Sequence, residues 1–417
     1  MLKIKLSKYC YFVVIFYLLY FSWGNLTEAH FIFGNKAGLV RVMVIILLWV
    51  TSFFIIYRYK QNIQHFRFIT NYLLAILFTY LLVIMRSLYL RVPIGACLYS
   101  FIMSFGFVPL LYYFSIISNS PKYYKKLLRV LLFSSMLLAS TIIANLFVNI
   151  SQVFGLSNPQ DYTDSFGIVR GNLFVGTNMS FIILGIGIVS AFLLHINYSI
   201  KTYVIIFIIT IITLGTILSF SRASGILVML LVAFVLYFDL SRKRGVKKNL
   251  YFFSIVLFFG IVIIKTIDFM PYIMITKYNN VESFAGVDNV SRLNSWSKGI
   301  HLFNNINNYL GHGLGTSNPR TSELYNLRYL GHYESGILLT FSESGILGLL
   351  ILAIPLFYIL KKVKQKRINF IFLVWAILLY VNLFVSPSII GYKTPLILTS
   401  LIGLSFMDDK NKQLKNI

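Results

Sequence analysis

The chain has 417 residues, of which 58% are hydrophobic and only 12% charged, and its 37 basic and 12 acidic residues leave a net charge of +25. Soluble domains carry about 25% charged residues and the mean hydropathy here is +0.79, so a secreted enzyme, a cytosolic enzyme and a nucleic-acid-binding domain are all disfavoured. Cys10 and Cys97 both lie in apolar runs and support neither a disulfide framework nor a zinc site. The six histidines show no metal-binding spacing.

A membrane-crossing helix takes roughly 20 apolar residues. Twelve such runs are predicted, over 9–23, 39–57, 68–85, 94–117, 127–147, 175–196, 202–219, 223–240, 250–267, 336–360, 368–385 and 389–406. The first is short and follows Lys3, Lys5 and Lys8, but no A-x-A-like cleavage site follows it, so it is read as a retained helix rather than a signal peptide. The seventh and eighth are parted only by Ser219-Phe220-Ser221-Arg222-Ala223-Ser224, a polar knot that predicts a helical hairpin turning at the membrane surface. With the N-terminus in the cytoplasm, 24 of the 37 basic residues and three of the 12 acids fall inside, for a net +21 inside and +4 outside. The positive-inside rule is therefore satisfied by an even helix count with both termini cytoplasmic, and the basic clusters are orientation devices. Two outer segments are too long for simple connections, 148–174 and 268–335. In the second, Val290, Leu293, Ser297, Ile300 and Phe303 recur at helical spacing and predict an amphipathic surface helix, and Gly311-His312-Gly313-Leu314-Gly315 predicts a tight turn.

The candidates for chemistry are ionisable residues on the outer side. Arg222 stands between two apolar runs beside Ser219, Ser221 and Ser224, whose hydroxyls suit a polar pocket; an arginine snorkelling to the interface is the plainer alternative. Arg170 lies between Gly167 and Gly171, and Arg292 on the polar side of the surface helix; an interfacial anchor and a solvated helix face are their alternatives. Three arginines from three segments suit one outer pocket for phosphate, because the guanidinium fork donates two parallel hydrogen bonds. His332 and Glu334, just before the tenth run, are the candidates for a base that takes a proton from an acceptor hydroxyl; an interfacial polar residue is the alternative for each. Glu343, between Ser342 and Ser344, lies roughly 13 Å further along that helix, placed to pair with an arginine or to complete a hydrogen-bond network. His312 is equally well explained as a turn residue. No P-loop, no G-x-S-x-G and no Asp-x-Asp metal pair occurs, so the donor is expected to arrive already activated on the outer face.

Four motifs carry a resemblance. They are Leu218-Ser219-Phe220-Ser221-Arg222-Ala223-Ser224-Gly225; Ser291-Arg292-Leu293-Asn294-Ser295-Trp296 followed by Tyr309-Leu310-Gly311-His312-Gly313-Leu314-Gly315; Glu343-Ser344-Gly345-Ile346-Leu347-Gly348; and Val169-Arg170-Gly171-Asn172 with Asn178. In this order they resemble the bacterial O-antigen polymerase and O-antigen ligase superfamily, in detail over about 165–350 and elsewhere by helix count. The resemblance implies that Arg170, Arg222 and Arg292 bind the donor pyrophosphate, with Glu343 and His312 in the same substrate-binding region, and that His332 or Glu334 is the catalytic base. The family's His-Asn about nine residues ahead of the helix glutamate is here Glu334-Ser335, which leaves both base candidates open and favours a polymerase over a ligase.

The expected fold is an all-α polytopic membrane protein of about twelve transmembrane helices with a large extracytoplasmic loop, in a membrane glycosyltransferase (GT-C-like) architecture. Its expected divisions are N-terminal helices over 1–147, central helices with the first outer loop over 148–267, the large loop over 268–335, and C-terminal helices with a cytoplasmic tail over 336–417. The expected function is polymerisation of undecaprenyl-pyrophosphate-linked oligosaccharide repeat units into O-antigen, capsule or exopolysaccharide, on the outer face of the bacterial inner membrane. No cofactor is expected, and no metal if arginines neutralise the leaving pyrophosphate. Membrane lipid, a chain-length regulator and a flippase are expected partners; nucleic acid is not. An O-antigen ligase that moves the glycan to a lipid A core is the first alternative, and a polysaccharide transporter or flippase the second. The long loop has no counterpart in the first half and the helix interiors are nearly free of charge, which speaks against a transporter.

Overall fold

The computed structural model of the protein describes residues 2–22, 37–63, 65–144, 180–218, 222–241, 297, 309–317, 335–385 and 393–415. Among them the regular structure is helical. The α-helices are α1 (Leu2–Ser22), α2 (Ala37–Tyr59), α3 (Phe66–Tyr89), α4 (Ile94–Phe105), α5 (Leu110–Ile117), α6 (Pro121–Ala144), α7 (Ser180–Tyr198), α8 (Thr202–Leu218), α9 (Arg222–Ser241), α10 (Gly336–Lys364), α11 (Ile371–Val385) and α12 (Lys393–Lys415). Eleven of the twelve predicted spans fall on these helices. The ninth, 250–267, lies outside the described residues, as does the predicted surface helix apart from residue 297.

Among the described residues, five helical stretches are long and apolar enough to cross a membrane, and five shorter helices are apolar. The distribution of side chains inverts that of a soluble bundle. Phe53, Phe54, Phe78, Phe133 and Phe207 are each 64–70% exposed, while Ser52, Ser87, Thr213, Thr216 and Ser400 are buried. Those hydroxyls donate to the carbonyl four residues back, to Leu48, Val83, Ile209, Ile212 and Leu396, so each of the five finds its partner within its own helix. The protein is an all-helical, polytopic membrane protein.

The chain folds as two compact units, Met1–Ser134 with Asn294–Ile417, and Ser135–Leu293. In the first, the short helix α5 is central. All eight of its residues are buried, and α1, α2, α3 and α12 pack on it. The predicted span 94–117 is divided into α4 and α5 because Leu110 N–H bonds to the Phe107 carbonyl instead of that of Gly106; Pro109 precedes it and lacks an N–H of its own. The freed Gly106 carbonyl accepts from Trp49 Nε1 at 3.1 Å, tying the break to α2. Gly403 of α12 faces the Phe114 ring, and a Cβ there would stand 2.3 Å from Cγ of that ring.

α12 does not end at 406 with a polar tail beyond it. It continues to Lys415, and Asp408 and Asp409 are 0% and 2% exposed. Asp409 accepts from Lys362 Nζ at 2.8 Å and Arg367 Nε at 3.0 Å. Asp408 accepts from Asn369 N–H at 2.8 Å and Tyr124 O–H at 3.2 Å. These bonds fasten α12 to the α10–α11 connection and to α6. His65, just ahead of α3, stacks on Phe406 with ring centroids 4.1 Å apart.

In the second unit α7, α8 and α9 pack on one another. The end of α6 lies against glycines: a Cβ on Gly187 would stand 2.4 Å from Ser135 Cβ, and one on Gly215 2.7 Å from Ala139 Cβ. Small residues let helices in lipid approach closely enough for dispersion to hold them, and Ser135 Oγ adds a hydrogen bond to the Ile183 carbonyl.

Candidate functional site

Arg222 is the first residue of α9, which follows α8 after the three residues 219–221, as expected of a hairpin. Arg170, Arg292, His332 and Glu334 lie outside the described residues. The described part of the candidate site belongs to the first unit. It joins the glycine-rich turn 309–317, which holds His312, to the stretch of α10 that holds Glu343.

α10 is capped by Ser335, whose Oγ accepts from Leu338 N–H at 3.3 Å, an N-cap bond. The helix is interrupted at Gly345, where φ is 65° and ψ −159°. In an unbroken helix the Ser342 and Glu343 carbonyls would accept from the N–H groups four residues on. Here His312 N–H donates to the Ser342 carbonyl at 2.8 Å and Gly313 N–H to that of Glu343 at 3.2 Å, while Leu347 N–H turns to the Tyr309 carbonyl at 3.4 Å. The turn thus replaces the hydrogen bonds that the break removes, as an interrupted helix in an apolar medium requires.

The turn can lie this close only with glycines. Gly311, Gly313 and Gly315 have φ of 71°, 111° and 83°. A Cβ on Gly311 would stand 2.6 Å from both the carbonyl carbon and the oxygen of Glu343. The far side of the turn is held by α3, where Ser87 Oγ accepts from Leu314 N–H at 3.0 Å; α3 also holds α10, through Ser344 Oγ donating to the Tyr80 hydroxyl oxygen at 3.3 Å. Thr316 Oγ1 donates to the Gly313 carbonyl at 2.7 Å and closes the turn on itself.

Glu343 is 6% exposed. Its Oε1 accepts from Ser317 N–H at 3.2 Å, and Ser317 Oγ lies 2.8 Å from Ser342 Oγ. The carboxyl group borders a cavity of about 40 Å³ also lined by Tyr72, Tyr80, Thr340, Ser344 and Thr399, enough for about three water molecules. His312 Nδ1 is buried without a hydrogen-bond partner. Among the described residues no three His, Cys, Asp or Glu side chains come together as a metal-binding group.

Two of the seven residues proposed from sequence, His312 and Glu343, therefore lie on the two docked segments: His312 bonds through its backbone to Ser342, and Glu343 through its carbonyl to Gly313 and through its side chain to Ser317. Sequence reasoning missed Ser87, Tyr80 and Ser317. Ser87 and Tyr80 carry no local signal, since a lone hydroxyl in or beside an apolar run is most simply bonded to its own helix.

Residues 205–353 match the family described as O-Antigen ligase. No curated protein matches the chain, and no solved structure does. The matched stretch contains α8 from Ile205 on, Arg222 with α9, the glycine-rich turn, and α10 through its break. Residues 205–353 of this integral membrane protein therefore carry the pattern of the O-antigen ligase family, within the O-antigen ligase and polymerase superfamily.

Proposed function

We propose that the protein is a membrane glycosyltransferase that polymerises oligosaccharide repeat units carried on undecaprenyl pyrophosphate, at the outer face of the bacterial inner membrane. The observation that carries this is the match over 205–353, which includes Arg222, Arg292, the glycine-rich turn and Glu343 in one all-helical membrane chain. In the reaction an acceptor sugar hydroxyl attacks the anomeric carbon of the donor glycan. The new C–O bond forms as the bond from that carbon to the pyrophosphate oxygen breaks, and the lipid pyrophosphate leaves. His332 or Glu334 takes the hydroxyl proton. Arg170, Arg222 and Arg292 neutralise the charge gathering on the leaving group, most strongly in the transition state.

The name of the matched family, O-Antigen ligase, favours a second reading, transfer of the finished glycan to a lipid A core. One experiment separates the two. Purified protein in detergent receives a single lipid-pyrophosphate oligosaccharide as both donor and acceptor. A ladder of longer products establishes polymerisation. Transfer only after addition of lipid A core establishes the ligase. Inertness in both arms with matched substrates turns the assignment to a transporter. Arg222→Ala and Arg292→Ala are each expected to abolish product without loss of expressed protein, and Lys at either position is expected to rescue poorly because it lacks the bidentate fork. Near-normal product from either well-folded alanine variant refutes the pyrophosphate clamp.

A further inference from the structure

A carboxyl group inside a membrane helix is expensive to bury unless its surroundings use it. Glu343 sits two residues before the break in α10, and its Oε1 takes the N–H of Ser317 at 3.2 Å. Ser317 is bound a second time, Oγ to Oγ, by the preceding residue of the helix, Ser342, at 2.8 Å. The backbone of the same two helix residues accepts from His312 and Gly313. Ser342 and Glu343 therefore hold both ends of the turn: its start through their carbonyls, its end through their side chains. Of these contacts only the two side-chain bonds depend on residue identity, and only that from Glu343 reaches the backbone.

We infer that Glu343 is a positioning residue: its side-chain oxygen, through the Ser317 N–H, sets where the chain leaves the glycine-rich turn relative to the broken helix α10. This inference rests on the glycosyl-transfer assignment above, because the turn that is positioned lies in the stretch that matches the O-antigen ligase family. Glu343 itself exchanges no proton with substrate. The bond to Ser317 requires an acceptor atom at a fixed reach.

The test is steady-state kinetics on purified protein with the lipid-pyrophosphate oligosaccharide, corrected for folded protein by size-exclusion recovery. Glu343→Ala is expected to lower kcat about 100-fold, as a displacement of about 1 Å at a reacting group does, with KM changed less than about threefold, since binding contacts are untouched. Glu343→Gln keeps an oxygen at the same reach. It is expected to stay within about fivefold of wild type, because a neutral acceptor retains about half the strength of a charge-assisted bond. Ser317→Pro, which deletes the donated N–H, is expected to reproduce the alanine effect, and the double variant to be no worse than either single. If Glu343→Ala is not recovered folded, Glu343→Asp takes its place, shorter by one methylene and expected to lose kcat where Gln does not.

Loss of activity in Glu343→Gln equal to that in Glu343→Ala overturns the inference in favour of a titrating group. A raised KM with unchanged kcat overturns it in favour of substrate binding. Unchanged kcat per folded molecule in Glu343→Ala, with only recovery reduced, overturns it in favour of plain stabilisation. An inactive wild type overturns the glycosyl-transfer assignment itself, and this inference with it.

Discussion

Replacing Gly311 by alanine tests the docking of the turn on the broken helix. The residue has φ +71°, and its Cβ would stand 2.6 Å from the Glu343 carbonyl carbon and oxygen and 2.7 Å from the Gly345 nitrogen. All three are backbone atoms, so no rotamer change relieves the overlap and the turn must lift away. The left-handed conformation alone costs an L-residue about 1–2 kcal/mol. Lifting weakens the bonds from His312 and Gly313 to the Ser342 and Glu343 carbonyls, at about 1 kcal/mol each. The expected loss is about 3 kcal/mol, concentrated in the first unit. Cys97 is a local reporter, because it is buried on α4, which packs on α3, the helix whose Ser87 holds Leu314 N–H. Labelling of Cys97 by a thiol-reactive dye in detergent, in a Cys10→Ser background, is expected to accelerate in Gly311→Ala, together with a lower apparent Tm. Gly225→Ala is the matched control, since a Cβ there meets nothing within 4 Å and alanine is the better helix former by about 1 kcal/mol. Labelling and apparent Tm equal to wild type in Gly311→Ala would refute the docking geometry.

Two further predictions concern the charged end of the first unit. Asp409→Ala leaves Lys362 only 12% exposed without its carboxylate at 2.8 Å and removes the 3.0 Å contact to Arg367. Breaking such a pair costs about 3 kcal/mol, measured as a lower apparent Tm in detergent; an unchanged value would show that Lys362 escapes to solvent at no cost. Burial first, then the neighbouring Lys362, pushes His65 from its ordinary 6.5 down to about 4, with Asp409 opposing and Arg367 adding to the shift. Its folded value is depressed, so the unfolded chain binds the extra proton between pH 6.5 and 4 and stability is lost as pH falls through that window. The loss is at most about 3 kcal/mol. His65→Phe keeps the ring stack on Phe406 and is expected to flatten the pH profile of apparent Tm over this window. A profile as steep as wild type would assign the loss to other groups.

The helical class was legible because a run of apolar residues has one low-energy state in lipid, a helix that satisfies its own backbone. The split of the fourth run was not, because it depends on Trp49, more than 50 residues away, taking the carbonyl that the turn releases. The burial of Asp408 and Asp409 was not legible, since their partners Lys362, Arg367, Asn369 and Tyr124 come from other segments. The glycine spacing at 311–315 announced a turn, and Ser342-Glu343-Ser344 announced a polar spot in an apolar helix. Neither said that each answers the other.

The order of polar and apolar groups along the chain was enough to give the solvent, the helical class and the family pattern over 205–353. Only the tertiary structure decided that α10 breaks at Gly345 and that the turn 309–317 fills the break. Unpaired carbonyls in an apolar interior must find donors, and which donors are within reach depends on how distant segments pack.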